Sequence, residues 1–233
     1  MATILLTGAS RGIGAAARTL LEQSGHRVIG QSTAGADGLI AADFAQPRAA
    51  DALWATAMEQ AGGRIDVLVN NAGVFEAAPI ADADGFASTW ARSHAINLQS
   101  AADLCRHAVL HFQANGGGRI INVASRAGHR GDSPQHWHYA AAKGGMLAMT
   151  KSIARGYAAQ NILAFAITPG FTMTGMAEEY LASRGGDKLL ADIPLGRVAM
   201  PEEVAEMIRW LASDAPASMT GATLDINGAS YVR

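Results

Sequence analysis

The sequence has little cysteine and little charge. Cys105 is the one cysteine among 233 residues, so an internal disulfide is excluded and a reducing compartment is expected. Charged residues make up 16% of the chain and its formal net charge is −2, which gives no basic surface for nucleic acid or an anionic membrane. Cys105 lies in an alanine-rich helical pattern, which favours a buried small residue over a nucleophile.

Long hydrophobic runs and linkers are absent too. Residues 1–6 are apolar but lead at once into a Thr-Gly turn, which fits neither a signal peptide nor a membrane span. No repeat or low-complexity tract divides the chain, and its 49% hydrophobic content suits one globular core. We therefore expect a cytoplasmic protein in which residues 1–233 form a single domain, with no nucleic-acid or membrane partner.

Glycine, by contrast, is abundant, with 26 residues that cluster at the ends of predicted strands. A strand is predicted at residues 3–6 and a helix at residues 15–24, with Gly8, Gly12 and Gly14 between them. A strand, a glycine turn and a helix N-terminus together present backbone N–H groups and a positive dipole end to a pyrophosphate. The glycine spacing differs from G-x-G-x-x-G in the order of its gaps, and a plain tight turn stays the alternative.

The next strand, at residues 27–33, bears on the type of cofactor. A carboxylate about 20 residues past the glycines would bind the ribose 2′-hydroxyl of NAD and repel a 2′-phosphate. Gln31, Ser32 and Thr33 stand there instead, and Arg11 in the glycine turn could reach a phosphate in a forked geometry. We hypothesise that the cofactor is NADP(H), with Arg11, Ser32 and Thr33 around the 2′-phosphate. NAD(H) is the alternative, with Arg11 an exposed loop cation.

Strands and helices alternate along the rest of the chain. A brief crossover leads to a third strand at 39–43 that ends with Asp43, and a continuous apolar run at 65–69 leads into Asn70-Asn71-Ala72-Gly73. Further strands are predicted at 119–123, 161–168 and 222–226, and helices from residue 47, over 90–114 and from residue 201. This alternation predicts an α/β fold, a doubly wound parallel sheet of the Rossmann type.

Two loops are candidates for substrate recognition. Residues 126–138 are rich in histidine and arginine, and His136 and His138 lack a carboxylate or cysteine at ligand spacing, so no metal site is expected. Hydrogen bonding within the loop, or recognition of a polar substrate, is favoured instead. Residues 171–190 are rich in Met, Gly and Ala and form a candidate lid.

Tyr139 and Lys143 are spaced four apart in a predicted helix, so both side chains can point into one site. A phenol beside a cation loses its proton more easily, because the charge favours phenolate. A general acid for hydride-transfer chemistry needs that property near neutral pH. The alternative for such a pair is an exposed surface contact.

The ordered set of motifs resembles the short-chain dehydrogenase/reductase family across essentially the whole chain. It consists of Thr7-Gly8-x-x-x-Gly12-Ile13-Gly14, Asn70-Asn71-Ala72-Gly73, Asn97, Ser125, Tyr139-x-x-x-Lys143 and Pro169-Gly170. The closing run, with Pro194-Leu195-Gly196-Arg197, Pro201-Glu202-Glu203-Val204 and Thr220-Gly221, is similar to the 3-oxoacyl-carrier-protein reductase branch.

The resemblance implies four catalytic residues. Tyr139 would exchange a proton with the substrate oxygen, and Lys143 would lower the Tyr139 pKa and hold the nicotinamide ribose. Ser125 would hydrogen-bond the carbonyl oxygen, where negative charge develops. Asn97 would order a water that links Lys143 to solvent as a proton relay.

The resemblance also implies a set of cofactor contacts. Asp43 would lie beside the adenine, Asn71 and Gly73 beside the adenosine ribose, and Thr172 and Thr174 at the carboxamide and phosphates. The full set is Gly8, Ser10, Arg11, Gly12, Ile13, Gly14, Ser32, Thr33, Asp43, Asn71, Ala72, Gly73, Tyr139, Lys143, Pro169, Gly170, Thr172 and Thr174.

The implied protein is a seven-stranded, single-domain oxidoreductase that moves hydride between NADP(H) and a ketone or secondary alcohol. Its partners would be a small carbonyl or alcohol substrate and further copies of itself, in a homotetramer or homodimer. One alternative is an NAD-dependent dehydrogenase of a diol, sugar or steroid. Another is a cofactor-binding regulator without chemistry, since a fold alone does not imply function.

Overall fold

The computed structural model describes residues 1–174 and 186–233. Its strands are β1 (Thr3–Leu6), β2 (Arg27–Ser32), β3 (Ile40–Ala41), β4 (Val67–Asn70), β5 (Gly118–Val123), β6 (Ile162–Pro169) and β7 (Thr223–Ile226). They form one seven-stranded sheet in the order β3-β2-β1-β4-β5-β6-β7, and every neighbouring pair is parallel. The predicted doubly wound sheet is confirmed.

Helices connect the strands. They are α1 (Gly12–Gln23), α2 (Ala49–Gln60), α3 (Ala83–His94), α4 (Ser100–Ala114), α5 (Ala127–Arg130), α6 (Trp137–Tyr157), α7 (Gly186–Ala191) and α8 (Pro201–Ser213). A π-helical turn, Ala95–Gln99, joins α3 to α4, and 3-10 turns follow at Ala158–Gln160 and Ala217–Met219. Within the described ranges, no helix is long and apolar enough to cross a membrane.

The central strands are covered on both faces. Side chains alternate along a strand, so Ile4 and Leu6 pack with α1 and α8 on one face, while Leu5 packs with α2 and α4 on the other. A strand buried on both sides needs a continuous apolar run, which explains the composition of β4 and β6. Cys105 lies in the second of these layers, and burial raises the pKa of its thiol to about 12, so it stays a protonated core residue.

The sheet reverses its winding direction between β1 and β4. The chain builds outward from β1 through β2 to β3, then returns to β4 and builds outward to β7. At such a reversal the loops after the two central strands turn to opposite sides and leave a cleft at the carboxyl edge. The loops after β1 and β4 are the ones that carry the glycine turn and Asn71.

Several predicted boundaries were wrong. The helix expected at residues 15–24 begins at Gly12, so Gly12 and Gly14 lie inside α1. β3 covers two residues rather than five, so Asp43 lies beyond the strand, where its carboxylate accepts the Ala45 N–H at 3.0 Å. The helix expected from residue 47 begins at Ala49, because Arg48 adopts a left-handed φ of 61°. The segment 126–138 contains the short helix α5, and α6 begins within it at Trp137.

The single long helix predicted over residues 90–114 was also wrong. A π-helical turn interrupts it at Ala95–Gln99, and Asn97 lies in the middle of that turn. The extra residue in a π turn re-aims a side chain, and such turns occur frequently at functional sites. Here the turn aims Asn97 at the loop that follows β4.

Candidate active site

The glycine turn after β1 depends on a close backbone contact. A Cβ atom on Gly14 would lie 1.9 Å from the Gly8 carbonyl oxygen, so α1 can approach the turn only because that side chain is absent. Gly8 itself has a φ of +66°, and its N–H donates to Gln31 Oε1 at 2.9 Å. The turn is therefore fixed from both sides, by α1 and by the end of β2.

The N-terminus of α1 opens onto this turn. The Ala15 N–H donates to the Arg11 carbonyl at 3.3 Å, so the amides of Gly12 to Gly14 are the ones without a helical acceptor. Unpaired amides and the positive end of a helix dipole bind phosphate groups. Ser10 and Arg11 are exposed at this end, and Ile13 is half-buried.

Thr7 and Asn71 tie the loops after β1 and β4 together. Thr7 Oγ1 accepts hydrogen bonds from the backbone N–H groups of Asn71 and Ala72, each at 3.0 Å. The Asn71 side-chain amide in turn donates to the carbonyl oxygens of Thr7 and Gly8, each at 3.1 Å. Asn71, predicted to border a ribose, is thus bonded to the glycine turn through its amide.

Sequence reasoning missed Thr7 and Gln31 as parts of the site. Gln31 bridges the Gly8 N–H and the Ala42 carbonyl, and its side chain lies between the glycine turn and the loop after β3. From the sequence, Thr7 is recognised only as the first residue of the glycine motif, and Gln31 only as a non-acidic residue at the end of the second strand. A hydroxyl or amide directly beside a strained turn was the available signal.

The end of β2 presents hydroxyls and no acid over residues 31–33. Ser32 is buried, and its Oγ accepts the Gly35 N–H at 3.0 Å, which leaves the hydroxyl proton available to donate. Thr33 and Arg11 are both exposed. This corner therefore offers donors and one cation, a chemistry that suits an anionic group.

Tyr139 lies in the first turn of α6, and its hydroxyl is close enough to the side chain of Ser125 for that side chain to affect its pKa. Burial raises the pKa of the Tyr139 phenol; the Ser125 side chain lowers it in part, and the Asp132 carboxylate raises it further. The expected lowering by Lys143 is not among these causes. Because burial outweighs the other contributions, the phenol is protonated at neutral pH, the form that can donate a proton.

Lys143 is deeply buried one turn further along α6. Its Nζ donates to the Val123 carbonyl at 2.8 Å and lies 5.9 Å from the centroid of the Tyr139 ring. Burial lowers the pKa of Lys143 to about 8. The alternative of an exposed Tyr139–Lys143 surface pair is therefore wrong, since Lys143 is 3% exposed.

Asn97 connects the π turn to the loop after β4. Its Nδ2 donates to the Val74 carbonyl at 3.0 Å and to Ser93 Oγ at 2.9 Å, and its Oδ1 accepts the Val74 N–H at 2.9 Å. A Cβ atom on Gly73 would lie 2.9 Å from Asn97 Oδ1 and 3.6 Å from Lys143 Nζ. Gly73 thus keeps the space between these two side chains free.

An aromatic stack that the sequence did not predict lies beside Tyr139. The Phe75 ring lies 3.8 Å from the His136 ring with an interplanar angle of 2°, and meets the Tyr139 ring edge-on at 4.9 Å. His136 Nδ1 is 2.7 Å from Ser133 Oγ, and burial lowers the pKa of the imidazole, which favours its neutral form. Phe75 and His136 form the aromatic wall of the site.

The loop after β4 and the start of α6 are bonded to each other behind that wall. His138 Nε2 is 2.9 Å from the Glu76 carbonyl, and the Ala78 N–H donates to the Gln135 carbonyl at 2.9 Å. Arg92 binds the Glu76 carboxylate through both of its oxygens, at 2.7 and 2.9 Å. These contacts fix the position of the Phe75 backbone relative to Tyr139.

The segment after β6 runs from Ser125 toward the glycine turn. The Pro169 carbonyl accepts the Arg126 N–H at 3.1 Å, and the Gly170 N–H donates to Ile226. Thr172 is buried, and Thr174 Cγ2 would lie 2.9 Å from a Cβ on Gly12. Of the predicted lid, residues 175–185 lie outside the described residues.

The predicted residues belong to the ends of strands or to the segments that follow their carboxyl ends, so they gather toward one edge of the sheet. Ser125, Tyr139, Lys143, Asn97 and Gly73 form a contiguous group there, and the glycine turn adjoins it through Asn71. Within residues 1–174 and 186–233, no three His, Cys, Asp or Glu side chains are grouped so that they could hold a metal ion.

Comparisons with known proteins agree with this arrangement. A family model described as enoyl-(acyl carrier protein) reductase matches residues 8–229. The chain is 38% identical to cis-4-hydroxycyclohexanecarboxylate dehydrogenase of Sinomonas cyclohexanicum, over 96% of this chain and 94% of that protein. It is 35% identical to a 3-oxoacyl-[acyl-carrier-protein] reductase of Vibrio cholerae, over 98% and 96% of the two chains. Identity to an acetoacetyl-CoA reductase of Rhizobium meliloti is 33%, over 97% of each.

Proposed function

From the premise that this chain belongs to the short-chain dehydrogenase/reductase family, we propose that it transfers hydride between NADP(H) and a ketone or secondary alcohol. Proteins of this family are oxidoreductases that use nicotinamide cofactors, so the chain is an enzyme of that class. The preference for NADP(H) and the role of Tyr139 as general acid and base are parts of the proposal.

One observation carries the proposal. The Tyr139 hydroxyl lies next to the Ser125 side chain, and the Tyr139 ring faces the buried ammonium of Lys143 at 5.9 Å. Tyr139 can donate a proton, Ser125 can donate a second hydrogen bond, and Lys143 supplies a positive charge. Together these groups would stabilise a carbonyl oxygen that gains negative charge.

The residues present also fit a dinucleotide. The amides of Gly12 to Gly14 would hold the pyrophosphate, and Lys143 beside the space at Gly73 would hold the nicotinamide ribose. Ser32, Thr33 and Arg11 would hold a 2′-phosphate, since no carboxylate stands among residues 31–33 to repel it. The remaining predicted contacts, from Asp43 to Thr174, stay predictions.

The protein's own part in the reaction is positioning and proton transfer. Ser125 orients the carbonyl oxygen by a hydrogen bond, and Tyr139 donates its proton to that oxygen as it becomes an alkoxide. Lys143 would stabilise the phenolate left behind, and a water that Asn97 would order would return a proton to it. When bound, the nicotinamide supplies the hydride, or accepts it in the reverse direction.

An absorbance assay against a broad ketone and alcohol panel, run with NADPH and with NADH, tests this function. Acetoacetyl thioesters and cis-4-hydroxycyclohexanecarboxylate belong in the panel because relatives carry those activities in their names. We expect turnover of at least one carbonyl compound with NADPH preferred. Turnover of a diol, sugar or steroid with NAD alone would favour the NAD-dependent alternative. Tight cofactor binding without any turnover would favour a regulator.

We further propose that residues 1–233 form a single dinucleotide-binding and catalytic domain, and that the cytoplasmic enzyme is a homotetramer or homodimer. Light scattering coupled to size-exclusion chromatography gives the number of copies directly. A monomer at micromolar concentration would contradict the proposed assembly.

A further inference from the structure

Arg126, the residue after Ser125, is a buried cation with few partners. The residue is 8% exposed, and one of its terminal nitrogens donates to Asp192 Oδ2 at 3.3 Å. Arg130 donates to the same oxygen at 3.0 Å and also to the Ser230 carbonyl at 2.8 Å. Two guanidinium groups therefore share one carboxylate oxygen, and Arg126 has the longer bond.

The guanidinium of Arg126 retains unused donors. A guanidinium has five N–H donors in a planar fork. Among residues 1–174 and 186–233, Asp192 is the one protein acceptor bonded to the Arg126 side chain. Its remaining nitrogens are not sealed from solvent, because they are not among the fully buried unpaired atoms. A buried cation with free, reachable donors gains from a second carboxylate.

The position of this cation connects it to the reaction. The backbone N–H of Arg126 bonds the Pro169 carbonyl, and its guanidinium lies 5.3 Å from the centroid of the Phe171 ring. The backbone of Arg126 thus adjoins Ser125 and the end of β6, and its guanidinium lies beside Phe171, in the segment that leads to Thr172 and Thr174.

We propose that Arg126 binds a carboxylate group of the substrate and makes the enzyme selective for keto acids and the corresponding hydroxy acids. This inference rests on the proposed function, because it concerns the substrate of the same site. A carboxylate matches the guanidinium fork in a two-point contact, and Arg126 would then share or exchange its bond to Asp192, which Arg130 continues to hold.

A different role for Arg126 would be to hold Asp192, and with it the end of α7. That role makes a distinct prediction. If Arg126 only fixes Asp192, then Arg126→Gln, Arg130→Gln and Asp192→Asn should lower activity on charged and neutral substrates alike. If Arg126 binds substrate, the three variants should differ in their preference between the two kinds of substrate.

The test uses matched pairs of a keto acid and its methyl ester. The acids are 4-oxopentanoate, 5-oxohexanoate and 3-oxocyclohexanecarboxylate, which vary the distance between ketone and carboxylate. We measure kcat/KM for each compound with NADPH and form the ratio of acid to ester. The wild type should prefer at least one acid by tenfold or more, and Arg126→Gln should lower that ratio at least tenfold. Arg126→Lys, which keeps the charge but not the fork, should lie between them.

Two variants control for structural damage. Arg130→Gln should leave the ratio within about threefold, because Arg130 already bonds Ser230 and Asp192. Asp192→Asn should keep or raise the ratio, because it removes the competing carboxylate and leaves Arg126 in place. Thermal melting and NADPH binding of each variant report on folding.

Three outcomes would overturn the inference. They are equal use of acids and esters by the wild type, an unchanged ratio in Arg126→Gln, and equal loss of both activities in all three variants. If the wild type reduces no ketone at all, the proposed function fails separately. Calorimetry of 3-oxocyclohexanecarboxylate with the protein and NADP⁺ then decides the carboxylate site, since binding absent from both wild type and Arg126→Gln would overturn it.

Discussion

The proposed cofactor side of the cleft and the proposed substrate side are built from different kinds of contact. On the cofactor side, glycines, backbone amides and the short side chains of Thr7 and Asn71 fix the turn. On the substrate side, long side chains meet one another, as in the stack of Phe75 on His136 and the pairing of Arg126 with Asp192.

This difference separates what is general from what is particular to this enzyme. A backbone cradle tolerates almost no change, because a single added methyl group meets a carbonyl oxygen. Contacts between long side chains can be exchanged for others without moving the backbone, so they are where substrate preference is set. Variants on the cofactor side should therefore change cofactor affinity, and variants on the substrate side should change substrate preference.

The largest effect is expected at Gly14. In Gly14→Ala the new Cβ would meet the Gly8 carbonyl oxygen, and relief of that clash moves α1 away from the turn at a cost of about 3 kcal/mol. We expect the Kd for NADPH, measured by fluorescence titration, to rise by a factor of about 100.

Gly156→Ala is the matched control, since nothing lies within 4 Å of its added Cβ and the residue is inside α6. It should bind NADPH normally and gain about 0.5–1 kcal/mol in stability. Native NADPH affinity in Gly14→Ala would show that the close contact does not shape the cradle.

The next effect concerns the choice between cofactors. Arg11→Ala should lower the ratio of NADPH to NADH affinity by about 30-fold, because a hydrogen-bonded charge on the 2′-phosphate contributes about 2 kcal/mol. Arg18→Ala is the control, as Arg18 lies in α1, the helix that follows Arg11, and pairs with Glu22 at 3.0 Å. An unchanged ratio in Arg11→Ala would remove Arg11 from the 2′-phosphate site.

On the substrate side, His136→Ala removes the ring on which Phe75 stacks. Phe75 then gains freedom to leave its place beside Tyr139, and KM for a bulky ketone should rise by about tenfold, or about 1.4 kcal/mol. NADPH affinity should stay within twofold. His107→Ala, which removes a histidine stacked on Trp54 between α2 and α4, should change neither constant. A change in NADPH affinity without a change in KM would contradict the division between the two sides.

The smallest effect is expected at Lys143, which lies between the proposed cofactor side and the proposed substrate side. Lys143→Met should increase the free energy of unfolding. Lowering the Lys143 pKa from 10.5 to about 8 costs the fold about 3 kcal/mol below pH 8. Lys143→Met removes that cost but also loses the hydrogen bond to the Val123 carbonyl, which destabilises the variant by about 2 kcal/mol. The variant should therefore be more stable than the wild type by about 1 kcal/mol at pH 7.

The lowered pKa of Lys143 also determines how the stability difference between Lys143→Met and the wild type changes with pH. Between pH 8 and 10.5 the unfolded wild type binds more protons than the folded protein, so wild-type stability rises with pH in that window. The advantage of Lys143→Met, measured by urea unfolding at pH 7 and pH 10, should shrink or reverse. A constant difference at both values would show that Lys143 is not a costly buried cation.

Much of the fold was predictable from sequence because its signals are local. The strand–turn–helix pattern around Gly8 and the apolar run of β4 are each set by residues close together in sequence, and both were confirmed as structure. The position of Tyr139 and Lys143 on one helix follows from spacing alone. Their shared, buried environment does not.

The predictions that failed depend on contacts between distant segments. The Tyr139 pKa is set mainly by burial among other elements, and the nearby cation that spacing pointed to is not among its causes. The π turn at Asn97 follows from its bonds to Val74, 23 residues away. The stack of Phe75 on His136 joins residues in two loops whose meeting no local pattern indicates.

The measurement that most directly tests the central claim is single-turnover reduction of a ketone by wild type and by Tyr139→Phe, each with NADPH bound. We predict that the variant keeps NADPH affinity within twofold while its hydride-transfer rate falls by a factor of about 1,000 or more, because the proton donor is gone. Tyr157→Phe, on the same helix, should match the wild type. A Tyr139→Phe variant with near-native turnover would contradict the account.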